Sequence, residues 1–187
     1  MKRAALLVLA LAAGAAGAAP LRYTLDPDAT FAHFEVLHFG TSTLRGRIGP
    51  VRGEVVLDRA AGTGELGLRI ATASVDTGMK VLDARLRKPD LFDSEGTPEA
   101  FFVSRRFRFE GEALAEVRGE FTLRGTSVPL SLRALRFACR PDAERGGEVC
   151  GGDFEGFLQR SEFGMTYLLP LVADRVRLQV QVEAFRR

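Results

Sequence analysis

The chain has 187 residues, 46% hydrophobic and 27% charged, with 26 basic and 24 acidic side chains. That is enough apolar mass for one domain with a full core. The small basic excess is Lys2 and Arg3, so beyond residue 18 the 24 bases equal the 24 acids; with Arg, Asp and Glu interspersed along the chain, this excludes a nucleic-acid binder, which needs a basic surplus on one face.

In chain order, Lys2 and Arg3 precede an apolar run over residues 4–11 and the small residues Ala16-Gly17-Ala18. This layout predicts a cleaved secretory signal peptide over residues 1–18 and a single exported domain over residues 19–187. The apolar run is too short for a good membrane span. Strand-like segments are then expected near residues 31–39, 47–58, 65–75, 100–110, 113–124, 128–138, 153–161 and 175–185. The last is the clearest: Val176, Leu178, Val180, Val182 and Ala184 alternate with Arg175, Arg177, Gln179, Gln181 and Glu183. Such a segment has one apolar face and one wet face, and about eight of them predict an all-β fold closed into an up-and-down antiparallel barrel.

Two intervals interrupt the alternation. Between Thr77 and Asp93, Val81, Leu82 and Leu86 recur at helical spacing, Asp83 and Arg87 stand four apart, and Pro89 breaks the turn, predicting a short helical insertion across a barrel opening. Residues 163–170 are more apolar than a simple hairpin requires and are expected beside the same opening. Cys139 and Cys150 bracket a turn-rich, charged loop, and in an exported protein they are expected to form one disulfide at a hairpin tip.

Catalytic and metal motifs are missing for physical reasons. Gly62-Thr63-Gly64-Glu65-Leu66-Gly67 has the letters of a dinucleotide loop, but a strand follows it, so no helix N-terminus is available for a pyrophosphate. His33 and Glu35 share one strand face while His38 lies on the other, so these three do not converge on a metal. There is no Gly-x-Ser-x-Gly elbow. No catalytic residue, metal ligand or cofactor is assigned, and the chain is expected not to be an enzyme.

The string of motifs resembles the YceI-like polyisoprenoid-binding proteins from about Tyr23 to Ala184. It comprises Asp26-Pro27, Phe34, Val36, His38 and Gly40, then Gly46 and Gly53 in a bent strand, then Ser74-Val75-Asp76-Thr77-Gly78 leading into Asp83-Ala84-Arg85-Leu86 and Leu91-Phe92-Asp93. Leu123-Arg124-Gly125-Thr126 with Val128-Pro129-Leu130, and Arg160-Ser161-Glu162-Phe163-Gly164-Met165, continue the likeness to Asp174-Arg175-Val176. Departures are Ala29-Thr30, where the family commonly has His-Ser, and Leu82-Asp83 with Arg85, where it has an Arg-Asp pair and a nearby His.

The resemblance implies an eight-stranded antiparallel, lipocalin-like barrel with a short helical insertion. It further implies a periplasmic location and non-catalytic enclosure of a polyisoprenoid or similar long-chain amphiphile. On that basis Phe34, Val36, Leu68, Ile70, Phe102, Phe121, Leu123, Leu132 and Leu178 are expected to line the interior. Leu86, Leu91, Phe92, Phe163 and Met165 are expected at the mouth, with His38 near a head group. A carrier of this kind predicts a continuous tunnel and transient membrane contact. The alternative is an exported barrel with a filled interior, acting as a stress-related interaction module. Strand edges and apolar patches near the mouth leave a homodimer open.

Overall fold

The computed structural model describes residues 19–111, 113–144 and 146–186, so the expected signal peptide lies outside the described residues. Ten strand segments pair antiparallel: β1 (Leu21–Leu25), β2 (Phe31–His38), β3 (Ser42–Ile48), β4 (Val51–Asp58), β5 (Thr63–Ala71), β6 (Glu99–Glu110), β7 (Ala113–Leu123), β8 (Thr126–Asp142), β9 (Gly147–Gln159) and β10 (Val172–Arg186). Among the described residues one short helix, α1 (Lys80–Leu86), follows a 3-10 turn at Thr72–Ser74.

The ten segments occupy eight positions in a closed ring. β1 pairs with β4 (Tyr23 opposite Val55) and β2 pairs with β3 (Phe34 opposite Gly46), so these four are the two halves of one long hairpin. Both β1 and β2 lie against β10, through Leu25 opposite Ala184 and Leu178 opposite Phe34. From β4 onward each strand pairs with the next as far as β10. The eight-stranded antiparallel barrel expected from the sequence is therefore present, with its first two strands each broken in the middle. β1 escaped the sequence reading, and the segment expected at 47–58 proves to be the end of β3 and all of β4, separated at Gly49-Pro50.

Two devices hold the break together. Thr30 is fully buried; its hydroxyl donates to the Glu183 carbonyl (3.1 Å) and accepts from the Glu183 amide (3.2 Å), standing in for a missing ladder rung. Its own carbonyl accepts from the Val51 amide (3.0 Å), tying β4 to the same point. Beyond the break, among the described residues, the outer edge of β3 meets only a bridge between Arg47 and Asp76. The sheet therefore gapes at this end, and residues 72–98 with α1 cover the gap.

The other end is solid. Tyr23, Leu25, Leu57, Leu114 and Phe154 are buried there, with Phe107, Phe109 and Phe137 packed against them. Tyr23 is completely buried, and its hydroxyl donates to Glu148 Oε2 (2.5 Å), which also meets Arg59 (2.9 Å, through Oε1) and Arg186 (3.5 Å). Burial raises the Tyr23 pKa, helped by the Glu148 carboxylate. Burial also pushes the Glu148 carboxyl up, but the Tyr23 hydroxyl and Arg59 outweigh it and leave the group below its ordinary value.

The outer wall explains the balanced charge. Arg45, Glu35, Arg177, Glu155 and Arg133 form an alternating belt across β3, β2, β10, β9 and β8, with contacts of 2.8, 3.1, 2.7 and 2.8 Å. Arg45 lowers the Glu35 pKa, and Arg133 with Arg177 lowers that of Glu155. Such exposed pairs add little stability, but they set unlike charges opposite each other across neighbouring strands.

Cys139 and Cys150 are bonded as expected, but the loop between them is shorter than the sequence suggested. β8 runs on to Asp142 and β9 begins at Gly147, so the two cysteines face each other across a ladder rung. Closing this loop is worth about 3 kcal/mol by chain entropy. Replacing both cysteines with Ser is expected to lower the melting temperature by about 10 °C while leaving the β-sheet circular dichroism unchanged. An unaltered melting temperature would mean that the ladder alone fixes this end.

Candidate ligand-binding cavity

The upper half of the barrel is hollow, with a cavity of about 240 Å³. Its wall follows from strand alternation. Phe34 and Val36 of β2, Leu68 and Ile70 of β5, Phe102 of β6, Phe121 and Leu123 of β7, Leu132 of β8 and Leu178 of β10 all face inward. Below Leu68, Leu130, Leu132 and Val180 the packed phenylalanines of the solid end form a floor. The cavity is a blind pocket, and the continuous tunnel expected of a carrier is not what these strands build.

Two segments make the roof. In the first, α1 turns Leu82 and Leu86, four apart, toward the cavity, while Val81 on its other face is 87% exposed. Asp83 is buried and anchors the start of this helix, accepting from the Thr77 amide and hydroxyl, both at 2.7 Å. It does not form the helical ion pair with Arg87 that the spacing suggested. Arg87 instead reaches back to the carbonyls of Ala73 (2.8 Å) and Val75 (3.1 Å). Arg124, in the β7–β8 turn, donates to the carbonyls of Pro89 and Leu91 and pins the far end of the insertion, where Leu91 and Phe92 close the wall.

The second roof segment lies between β9 and β10. Arg160 is buried, with Nε on the Ala173 carbonyl (2.9 Å), Nη1 on that of Met165 (2.7 Å) and Nη2 on that of Val172 (2.8 Å). One guanidinium thus satisfies three carbonyls of a loop and holds Met165, Tyr167 and Leu168 over the cavity; burial lowers its pKa. Asp174 fastens the same turn by accepting from the Ser161 amide (2.8 Å) and hydroxyl (2.6 Å).

The two segments meet at Arg85 and Tyr167. The Arg85 guanidinium lies 4.1 Å from the centre of the Tyr167 ring and makes two bonds to the Asp90 carboxylate. Asp90 raises the Arg85 pKa, and Arg85 lowers that of Asp90. Tyr167 and Leu168 both line the cavity and stay exposed, which places the opening between α1 and this loop. Of the lining residues only His38, Arg85, Arg160 and Tyr167 carry polar side chains. Such an arrangement can enclose a hydrocarbon chain and meet a polar end at the lip.

Of the side chains singled out from the sequence, all but Phe163 line this cavity. Phe163 is buried behind the wall, edge-on to Phe121 (5.6 Å between centroids), beside Leu91, Ala100 and Leu123. His38 stands at the top of the β2 wall against the Phe39 ring (4.5 Å). Glu35 is on the outer face with Arg45 and Arg177, so it does not join His38. Lining residues that sequence reasoning passed over include Val176 and Val180, in phase with Leu178, and Leu82, on one helical face with Leu86. Leu44, on the unrecognised part of β3, and Ile48, at its end, also line it. Between them Gly46 leaves room for the Phe34 ring, since a Cβ there would lie 2.3 Å from its tip. A broader depression of about 1060 Å³ lies on the outer wall over β4–β8, but it is open and lined by outward-facing ion pairs such as Arg105–Glu65.

A family model described as the YceI-like domain matches residues 23–184. Protein YceI of Escherichia coli O157:H7 is 28% identical over 180 residues, covering 96% of this chain and 93% of its own length. Among solved structures, Burkholderia cenocepacia BcnA superposes with a TM-score of 0.67 at 21% identity, over 85% of this chain and 98% of that one. A polyisoprenoid binding domain from Saccharophagus degradans gives 0.63 at 17% identity, over 88% and 98%.

The roof carries a pH dependence. Thr77 donates to the ionised Asp83 carboxylate and holds its pKa below the ordinary value, so between the folded value and the unfolded one, about 3.9, the unfolded chain binds more protons. The stabilising contribution is therefore complete above the unfolded value and is lost as pH falls through the folded one. Asp83→Ala is expected to flatten the acid side of the stability curve and to speed amide exchange across residues 77–87 at neutral pH. Unchanged exchange by mass spectrometry would remove Asp83 as the anchor of the helix.

Proposed function

We propose, because this chain belongs to the YceI-like family, that it binds and carries the tail of a polyisoprenoid or a similar long-chain amphiphile in its barrel without chemically changing it. The observation that carries the reading is the blind apolar cavity whose polar side chains are limited to His38, Arg85, Arg160 and Tyr167. Each methylene moved from water into such a site contributes about 0.8 kcal/mol, so a few isoprene units outweigh the cost of ordering the chain. Discrimination between tails of similar length is weak, since one methylene more or less changes little. The likeness to a polyisoprenoid binding domain supports the same class of ligand.

The arrangement of the lip supports the non-catalytic reading. Among the described residues Arg160 is occupied by three carbonyls and Arg85 by Asp90, Tyr167 lies under Arg85 and His38 stands against the Phe39 ring, an arrangement that does not pair a base with a nucleophile. Export to the periplasm is supported by the Lys2, Arg3 and Ala16-Gly17-Ala18 layout and by a disulfide that persists in oxidising compartments. A filled barrel acting as an interaction module would have no use for the hollow upper half. Transfer of such a tail requires brief contact with a membrane, and this belongs to the proposal.

Mass spectrometry of an organic extract of the protein, purified from its native compartment, is expected to release an isoprenoid or other long-chain lipid. Leu132→Arg puts a charge in the cavity wall and is expected to lower the recovered lipid at least about tenfold. Leu135→Arg, on an exposed position of the same strand, should leave it unchanged. A folded Leu132→Arg protein that keeps its full lipid content would overturn the assignment of the interior.

A further inference from the structure

The exposed apolar side chains of this barrel are unevenly placed. Among the described residues, seven of the eleven large hydrophobic side chains left exposed lie at the mouth end. Leu37 and Phe39 stand at the tip of the β2–β3 hairpin, Met79 and Val81 at the start of α1, and Tyr167, Leu168 and Leu171 in the loop before β10. The remaining four lie on strand faces of the outer wall, and the turns at the solid end expose none. The mouth pieces are tied together: the Phe39 amide donates to the Leu171 carbonyl (2.7 Å), the Val172 amide to that of Leu168 (2.9 Å), and Arg85 of α1 lies over Tyr167.

The lysines are gathered in the same place. Beyond residue 18 the chain has two lysines, Lys80 and Lys88, and both stand on the insertion at the two ends of α1. The outer-wall arginines are largely paired with acids, whereas among the described residues neither lysine has an acid partner. Of the five acids of the same segment, three are engaged elsewhere, Asp76 with Arg47 and the Gly78 amide, Asp83 with Thr77, and Asp90 with Arg85, while Asp93 and Glu95 stand on the return toward β6.

We propose that the mouth rim is a membrane-docking surface: Phe39, Leu171 and Val81 enter the interfacial region of a bilayer, while Lys80 and Lys88 reach anionic head groups, so that the cavity opens onto the lipid. This rests on the lipid-carrying reading and adds the surface by which cargo passes. Val81 is 87% exposed, Leu171 52% and Phe39 49%; on loops around an opening, such side chains gain by shallow insertion, and long lysine stems let the ammonium stay at the head-group level. The lysines favour an anionic bilayer over a second copy of this chain, whose matching rim would bring lysines of the same sign. Docking at this end also lets a tail move between bilayer and cavity without crossing water.

Flotation of the full mature protein with vesicles of phosphatidylcholine doped with phosphatidylglycerol tests this. The wild type is expected to float. The double substitution Phe39→Ser with Leu171→Ser is expected to weaken binding by about tenfold or more. Lys80→Gln with Lys88→Gln should remove the preference for phosphatidylglycerol, and Leu135→Ser with Phe157→Ser, on the outer wall, should float normally. Circular dichroism and binding of a fluorescent long-chain fatty acid in solution show whether each variant keeps its fold and cavity. A wild type that stays in solution, or a Phe39/Leu171 variant that floats undiminished, overturns the proposal. So does a rim whose substitution changes the sedimenting mass and leaves flotation intact, because that rim is an interface between copies. Loss of flotation with the fatty acid still bound separates docking from enclosure. A wild type that floats but holds no long-chain probe sinks the carrier reading and leaves the docking surface standing.

Discussion

The structure depends on how its first hairpin meets its last strand. A barrel closed by unbroken ladders would bring every strand to full length and let side chains meet throughout its bore. Here the ring closes on β10 twice, once through β1 and once through β2, and the five residues between them, 26–30, leave the ladder. The Thr30 hydroxyl bonds both the amide and the carbonyl of Glu183, so the ring survives the break at a buried point. On one side of that point the barrel is a packed core. On the other, β3 parts from β5, a gap opens, and residues 72–98 are needed to cover it. The cavity is what this divergence leaves behind.

The roof shows a consistent strategy toward backbone polarity. Loops over a hydrocarbon pocket carry carbonyls that no water can reach from below, and an unmatched one is costly. Long guanidinium arms supply the missing donors: Arg160 serves three carbonyls, Arg87 and Arg124 two each. These arginines therefore act through the loops they hold. Their charge is directed at the backbone, while the pocket beneath presents mainly apolar side chains.

Much of this was legible in the sequence, because alternation in a strand reports the face of every side chain at once. The run from Val176 to Ala184 fixed the phase of β10, and Phe34 with Val36, or Phe121 with Leu123, followed from the same rule. What was hidden has physical reasons. β1 is five residues long between prolines at 20 and 27, too short for alternation to register. β3 reads Ser-Thr-Leu-Arg-Gly-Arg-Ile, with one of its inward positions a glycine that makes way for Phe34. Alternation also cannot say how high in the barrel an inward residue sits. Phe107 and Phe137 fill the plug while Phe102 and Leu132 of the same strands line the cavity, and register shifts at Val103/Arg106 and Ala134/Arg136 put the plug residues out of strict step with them. Phe163 was misplaced because a 3-10 turn follows neither the helical nor the strand period, so its neighbour Met165 meets the cavity while it packs against the sheet.

The phenylalanine plug has a consequence for traffic. A pipe open at both ends could thread its cargo through, but this barrel is shaped like a thimble. On the proposed carrier function, a chain backs in by its greasy end and leaves by the route it came, with its head facing outward. Whatever receives the molecule must therefore come to the same doorway that supplied it, and release is an exchange at one threshold.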